Sequence, residues 1–269
     1  MTLIKCSIDQ IIDRIRRHEP FEAVDDYYGF YLKIETYVPY FAAAVHDGNQ
    51  MRPELIKKCT LSHAERLYEE DPYTAYFISN QPIVIKGLDS RFEYDLNRFQ
   101  EDAVYETAWG RTVWAEPLSS DEKEMSLEKY SRFYRVVFTL LEELTRLFSD
   151  RRITVYDIHS YNYKRWDRQV PEINIGTTQL NRTIWGAEIR RYLDVLQACF
   201  PNYWVAENDT FFGKGGFLGQ IIKQFPNALV LATEFKKFYC DELTGRFYWE
   251  QLADTKERLE QVIKLYEGE

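Results

Sequence analysis

Short apolar segments alternate with amphipathic segments along most of the chain. The apolar segments, whose length and β-branched or aromatic content are typical of buried strands, are residues 40–46, 81–86, 152–158, 171–177, 203–207 and 228–234. The amphipathic segments predict helices over residues 7–18, 53–59, 62–70, 121–150, 183–200 and 249–266, with a further short helix beginning at Asp71-Pro72. This alternation predicts an α/β fold, in which helices cover both faces of a mixed, mostly parallel sheet, as one domain over residues 1–269.

Three of the predicted strands end in side chains suited to chemistry. His46 ends the first strand, His159 directly follows the strand at 152–158, and Glu234 ends the strand at 228–234. A single histidine at a strand end is more typical of a structural hydrogen bond. Because the carboxyl ends of parallel strands meet at one edge of a sheet, the three together predict a shared site. Two imidazoles, a carboxylate and a water form the open zinc site of hydrolases.

The carboxylate that completes such a site has two candidates. Glu54 lies in the first turn of a predicted helix, and Asp71 opens another helix on the same side of the sheet. Each also suits a structural role, since a carboxylate in a first turn or at an N-cap stabilises a helix. The run Glu69–Asp71 equally fits an exposed acidic helix end. The residues alone leave this choice open.

Composition narrows the class of ligand. The 269 residues carry a formal net charge of −9, with 45% hydrophobic and 16% aromatic residues. An acidic chain argues against nucleic acid and against anionic membranes, since both select a basic surface, whereas a few arginines can still bind a small anion. Four scattered cysteines without a Cys-x-x-Cys pair indicate reduced thiols and a cytoplasmic protein. No signal pattern or apolar span of membrane length is present.

A glycine-rich segment at residues 212–217 precedes a predicted helix. It lacks the Gly-Lys-Ser/Thr of a phosphate-binding P-loop and the glycine spacing of a dinucleotide fingerprint. We expect a surface turn, or a flexible lid that brings Lys214 near an anionic substrate. Ser160, beside His159 at the strand end, is a further candidate for binding substrate.

Four motifs, in matching order, resemble the N-formylglutamate amidohydrolase family and its relatives. Residues 46–54 are similar to that family's His-x-Gly…Pro motif, and residues 90–98 resemble its Ser-Arg…Asp-Leu-Asn-Arg segment, which aspartoacylases share in part. Residues 157–161 are similar to the strand that carries the third metal ligand of zinc carboxypeptidases. Residues 232–236 resemble the strand that carries their catalytic glutamate.

The resemblance implies a three-layer fold like that of zinc carboxypeptidases and phosphorylases. It implies a zinc-dependent hydrolase that cleaves the amide bond of a small anionic N-acyl amino acid similar to N-formylglutamate. His46 and His159 would bind Zn²⁺, and a carboxylate that recurs in the family near Asp71 favours Asp71 over Glu54 as the third ligand. Glu234 would be the general base. The residues implied to hold the substrate carboxylate or polarise the scissile carbonyl are Arg91, Asn97 and Arg98.

One departure from the related families keeps other functions open. Zinc carboxypeptidases and aspartoacylases carry Glu three residues after the first His, where this chain has Asn49. A metallopeptidase acting on a short peptide or cell-wall fragment is the first alternative. A non-catalytic binding protein that keeps the fold is the second. Neither the exact substrate nor the oligomeric state follows from the sequence.

Overall fold

The computed structural model describes residues 2–268, and its helices and strands alternate much as the sequence predicts. The strands are β1 (Leu3–Cys6), β2 (Phe21–Asp25), β3 (Phe30–Ile34), β4 (Tyr40–Ala44), β5 (Ile83–Gly87), β6 (Thr107–Ala108), β7 (Arg111–Thr112), β8 (Ile153–Tyr161), β9 (Ile173–Gly176), β10 (Val205–Glu207) and β11 (Ala228–Lys236). The helices are α1 (Ile8–Arg16), α2 (Pro53–Lys58), α3 (His63–Glu69), α4 (Thr74–Phe77), α5 (Ser120–Leu147), α6 (Arg182–Cys199), α7 (Gly216–Gln224) and α8 (Trp249–Glu267), with a short 3-10 helix at Gln100–Asp102.

A single large sheet forms the middle of the fold. Within residues 2–268, nine strands pair in the order β1-β2-β3-β5-β4-β8-β11-β9-β10, while β6 and β7 form a separate hairpin. The neighbours β5, β4, β8 and β11 are all parallel, and so are the outer pairs β1–β2 and β9–β10. Antiparallel pairing joins β2 to β3, β3 to β5 and β9 to β11. The predicted mixed, mostly parallel sheet is confirmed.

Helices cover both faces of this sheet, which gives three layers. Alternate residues of β8 point to opposite faces, so Ile153 and Val155 join one apolar core while Tyr156 and Ile158 join the other. Apolar side chains of α1, α5 and α7 complete the first core, and those of α4, α6 and α8 complete the second. Because both faces are covered, the central strands are apolar on both sides, as their sequence indicated.

The longest described helix, α5, shows how local sequence fixes these elements. The Ser119 hydroxyl accepts a hydrogen bond from the backbone N–H of Glu122, and the Glu122 side chain accepts one from the Ser119 N–H. Beyond this capping box, Phe133, Val137 and Leu144 are buried at helical spacing against the sheet. Several charged residues of the helix, Glu124, Glu128, Arg135 and Glu142, are exposed to solvent. Across residues 2–268, no helix combines the length and the apolar character needed to cross a bilayer.

The structure adds elements that the sequence pattern does not reveal. Residues 27–38 show no regular period, yet β3 lies there, with Phe30 and Leu32 on its buried face and Lys33 on the other. The Lys33 ammonium donates to the Ser79 carbonyl oxygen at 2.8 Å, so a long polar side chain is held on that second face. The short helix expected at Asp71-Pro72 begins instead at Thr74.

Candidate functional site

The carboxyl ends of the parallel strands bring distant side chains to one edge of the sheet. His46 lies just beyond β4, and His159 lies near the end of β8. Glu234 of β11 is the direct register partner of His159. Residues two apart on a strand share a face, so Asp157 and His159 project to the same side. This is the edge at which open α/β sheets bind ligands.

Three buried side chains, His46, Asp71 and His159, form a compact cluster at this edge. Asp71 Oδ2 lies 3.3 Å from His46 Nδ1 and 3.1 Å from His159 Nδ1. One potential ligand atom from each of the three lies within 4.8 Å of the others, and the imidazole centroids are 5.1 Å apart. The spacing is that of groups able to bind one ion.

A backbone hydrogen bond to His46 places Asp71 beside the two histidines. The Asp71 N–H donates to the His46 carbonyl oxygen at 3.0 Å, and the Ser160 hydroxyl donates to Asp71 Oδ1 at 3.2 Å. Tyr73, with φ of 73°, turns the chain away into α4. Since Glu70 and Asp71 are both buried, the expectation of an exposed acidic helix end is wrong for them.

A second carboxylate lies behind each imidazole. Asp95 Oδ1 is 2.7 Å from His46 Nε2, and Asp157 Oδ1 is 2.9 Å from His159 Nε2. Both rings therefore direct Nδ1 at Asp71 and Nε2 at another buried aspartate. In metalloproteins, a carboxylate on the far nitrogen fixes the orientation and tautomer of a ligating histidine. The sequence singled out Asp157 at a strand end, but it gave no such role to Asp95.

The electrostatics of this cluster favour positive charge between the carboxylates. Burial alone would raise the pKa of Asp71, but its close contacts with the His159 and His46 imidazoles hold the pKa below its ordinary range. Burial opposes charge on His159 as well, yet Asp157 and Asp71 raise its pKa well above the ordinary value. His46 Nδ1 is buried and makes no hydrogen bond to a described residue. Two imidazole nitrogens and a carboxylate oxygen fit a zinc ion.

The cluster lies in a cavity of about 480 Å³, which also contains Glu234. Burial, with the negative charges of Asp71 and Asp157, raises the pKa of Glu234 to about 8, although His159 opposes the shift. A carboxylate with a pKa near neutrality, beside a potential ion, can exchange a proton with a water.

The other residues proposed from the sequence to contact substrate line the same cavity: Arg91, Asn97, Arg98, Ser160 and Lys214. The Arg91 guanidinium donates from Nε and Nη2 to Asp95 Oδ2 at 3.1 and 2.8 Å, and from Nη1 to the Glu69 carbonyl oxygen at 3.1 Å. Asn97 Oδ1 accepts from the Phe217 N–H at 3.0 Å. Ser160 is directed to Asp71, as above.

Two cationic side chains at this cavity form no ion pair with the described residues. Arg98 is exposed, and its guanidinium makes no hydrogen bond or ion pair with any residue between 2 and 268. Lys214 is also exposed, with its ammonium 5.8 Å from the centre of the Phe212 ring. Both are therefore free to bind an anion.

Glu54, the alternative ligand, lies away from this cluster. Its side chain is 50% exposed in the first turn of α2, and its carboxylate is 3.4 Å from Arg52 Nη1. Helix α2 packs through Leu55 in a separate small apolar cluster, and this packing turns Glu54 toward solvent. The carboxylate beside the histidines comes from Asp71 instead. Asn49, where related families carry Glu, is also exposed.

The glycine-rich segment, expected as a surface turn or a flexible lid, exposes Phe212 and Lys214 but packs closely against other backbone through its glycines. A Cβ on Gly213 would lie 2.4 Å from Gly176 backbone atoms, and one on Gly216 would lie 2.5 Å from the carbonyl carbon of Arg98. The Gly216 N–H donates to the Asn97 carbonyl oxygen at 2.7 Å. Glycine is required here because two backbone segments approach closely, which fixes the loop in place.

Sequence reasoning missed several residues of the cavity wall, among them Lys237 and Trp109. The buried Lys237 ammonium donates to the Tyr68 and Glu70 carbonyl oxygens at 2.8 and 2.7 Å, which anchors the segment that leads into Asp71. In the sequence, the feature that could have pointed to Lys237 is its position three residues after Glu234, which ends a predicted strand. For Trp109 it is the Trp-Gly pair at the tip of a hairpin.

Comparison with known proteins identifies the family. The sequence model of N-formylglutamate amidohydrolase matches residues 38–233, well over half of the chain. This chain belongs to the N-formylglutamate amidohydrolase family. The resemblance noted from the four motifs is thereby confirmed, and membership of the N-formylglutamate amidohydrolase family indicates an amidohydrolase. Glu234 lies one residue beyond the matched range.

Solved structures agree on the fold. The N-formylglutamate amidohydrolase from Ralstonia eutropha JMP134 aligns with a TM-score of 0.75 and 16% identity, over 89% of this chain and 97% of that one. The gene product Atu2144 from Agrobacterium tumefaciens aligns with a TM-score of 0.65 and 18% identity, over 89% and 96% of the two chains. At these identities the likeness shows the fold alone. A comparison with curated proteins found no match.

Proposed function

We propose that this chain is a zinc-dependent hydrolase that cleaves the amide bond of a small N-acyl acidic amino acid of the N-formylglutamate type. One observation carries the proposal: the buried cluster of His46, Asp71 and His159 shares a single cavity with Glu234 and with unpaired cations. Membership of an amidohydrolase family supports the reaction class. The free Arg98 and Lys214 at the same cavity support an anionic substrate.

The proposed chemistry begins at the three-residue cluster. His46, Asp71 and His159 would hold the ion, which when bound polarises the scissile carbonyl and lowers the pKa of a water. Glu234 would accept the proton of the attacking water and deliver it to the leaving nitrogen. A pKa raised to about 8 by burial suits this exchange, because such a carboxyl group can both accept and release a proton near neutral pH.

The arginines would position and stabilise the substrate. Three of the five N–H groups of Arg91 are used by Asp95 and Glu69. The remaining two can donate to the oxygen that becomes negative as the amide carbonyl is attacked. Arg98, whose planar fork is free, can bind a substrate carboxylate through two parallel hydrogen bonds.

Metal content and turnover test the proposal together. The full chain, purified without chelator, is expected to carry about one zinc per chain by mass spectrometry. Hydrolysis of N-formyl-L-glutamate should stop on chelation and return on addition of zinc. A chain that neither retains nor binds zinc would instead support the non-catalytic alternative. Faster cleavage of short peptides than of N-acyl amino acids would support the metallopeptidase.

Substitution of the proposed base separates catalysis from metal binding. Glu234→Gln keeps the size of the side chain but cannot accept a proton, so turnover should fall by about a hundredfold or more while zinc content is unchanged. Glu101→Gln changes an exposed carboxylate outside the cavity and serves as the matched control. Full activity in Glu234→Gln would rule out the assigned base.

A further inference from the structure

Three large aromatic side chains that line the cavity remain exposed to solvent. Phe99 is 40% exposed, Trp109 is 42% exposed and Phe212 is 46% exposed, and each contributes to the same cavity wall. Exposed rings scattered singly need no explanation, whereas several around one concave site are typical of ligand binding. We refer to Phe99, Trp109 and Phe212 as the aromatic rim.

Trp109 is held in an unfavourable backbone conformation. It occupies the turn of the β6–β7 hairpin with φ of 51°, followed by Gly110 with φ of 73°. A bulky residue with positive φ is a genuine outlier, since such turn positions favour Asn, Asp or Gly. The ring is supported 4.9 Å above the Arg91 guanidinium and 5.6 Å from the Phe92 ring. Strain of this kind is concentrated at functional sites.

The backbone that carries Phe212 is held in place, and the Phe99 ring packs against α7. Phe212 precedes Gly213, which packs against Gly176, and its carbonyl oxygen accepts the Thr178 N–H at 3.0 Å. A Cβ added to Gly219 of α7 would lie 3.2 Å from Phe99 Cζ. A pre-positioned ring loses little conformational freedom on binding, so it can contribute its full apolar contact.

The rim combines apolar surface with positive charge. Arg98 immediately precedes Phe99 in the chain, and the Lys214 ammonium lies 5.8 Å from the centre of the Phe212 ring. Such a rim fits a ligand that is both anionic and apolar. The carboxylates of an acidic amino acid can form ion pairs with Arg98 and Lys214. A formyl group has a single carbon, so it cannot provide the apolar part.

We infer that the acyl group of the natural substrate is bulky and apolar or aromatic, and that the aromatic rim binds it. This inference rests on the proposed amidohydrolase function and specifies its substrate class. The carboxylates of the acidic amino acid would bind to Arg98 and Lys214, and the acyl group would lie against the rings of the aromatic rim. The cavity volume of about 480 Å³ is within the range that encloses ligands much larger than N-formylglutamate.

A substrate series tests this inference on the zinc-loaded full chain. N-formyl-, N-acetyl- and N-benzoyl-L-glutamate keep the acidic part constant while the acyl group grows. We expect kcat/KM for the benzoyl compound to exceed that for the formyl compound by about tenfold or more, since a fully buried apolar group gives differences of this size. Equal values, or a preference for formyl, would overturn the inference and leave the proposed function intact. Absence of hydrolysis of all three would overturn both.

Rim variants identify the residues responsible. Trp109→Ala and Phe212→Ala should each reduce the benzoyl-to-formyl ratio of kcat/KM by about tenfold, because each removes an aromatic contact with the acyl group. Using two variants keeps the test valid if one fails to fold. Trp204→Ala is the matched control, since Trp204 is 46% exposed but lies outside the cavity. Unchanged ratios in both rim variants would overturn the assignment.

Discussion

Two buried histidines of this chain each lie between two carboxylates. Each imidazole lies between Asp71 on its Nδ1 side and a second buried aspartate on its Nε2 side, Asp95 for His46 and Asp157 for His159. Three buried carboxylates facing two rings leave a demand for positive charge that a divalent cation would meet. The outer aspartates would therefore orient the histidines of the candidate centre.

Asp95→Asn tests this orienting role. Loss of the carboxylate should weaken zinc affinity by about 10- to 100-fold, because the amide no longer fixes the His46 ring as firmly. Affinity is measured by competition with a chromogenic chelator, and thermal unfolding in parallel separates loss of metal binding from loss of fold. Asp102→Asn is the control, since Asp102 is an exposed residue of the same cavity. Equal affinities in the two variants would contradict the role.

At the scale of elements, the cavity depends on how the strand ends and the glycine loop meet. The parallel strands β4, β8 and β11 bring His46, His159 and Glu234 to one edge. On the other side, the turn before α7 packs against residues 97–98, and the Asn97 side chain accepts the Phe217 N–H at the start of that helix. The Asp-Leu-Asn-Arg motif thus carries both an orienting carboxylate and a structural cap.

Two glycine substitutions test this packing. In Gly216→Ala the new Cβ would lie 2.5 Å from Arg98 backbone atoms, so the chain must shift, and we expect a loss of about 1–3 kcal/mol in the free energy of unfolding. Gly186→Ala is the control, because a Cβ there, in the interior of α6, meets nothing within 4 Å. It should stabilise the protein by about 0.5–1 kcal/mol. Denaturant unfolding of both variants distinguishes a tightly packed loop from a mobile one.

At the scale of the whole molecule, folding buries many acidic groups in an already acidic protein. The Glu70 carboxyl is buried, and the Ser90 hydroxyl donates to it at 2.5 Å. Burial raises its pKa from an ordinary value of 4.5 to about 7, although Ser90 and nearby cations oppose the shift. The folded state therefore favours the neutral acid, and ionisation of this one side chain weakens global stability.

The pH dependence of unfolding follows from that shift. Because the pKa is raised on folding, the stabilisation by Glu70 is fully present below about pH 4.5 and is lost as pH rises to about 7. At about 1.4 kcal/mol per pH unit, its contribution amounts to roughly 3 kcal/mol. Glu70→Gln should lack this dependence, so the wild-type minus variant difference in unfolding free energy, measured in chelator, should decline over that range. A constant difference would contradict the shifted pKa.

Local patterns in the sequence were sufficient to predict the kinds of elements and much of the chemistry at their ends. Apolar runs and helical periodicity predicted an α/β fold with helices on both faces of the sheet, because burial of one or two faces of an element sets its local pattern of apolar residues. The same runs placed His46, His159 and Glu234 at strand ends. The strands β1 to β3, at one end of the sheet, escaped prediction, because they are short and their partly exposed positions mix polar, aromatic and apolar residues.

The tertiary structure was needed to show which carboxylate lies beside the two histidines. Asp71 reaches them because its backbone pairs with His46, while packing of α2 turns Glu54 to solvent. It also revealed Asp95 behind His46 and Trp109 over Arg91. Such contacts join residues far apart in the chain. They depend on strand order and loop packing, which are set by the whole molecule rather than by any local pattern.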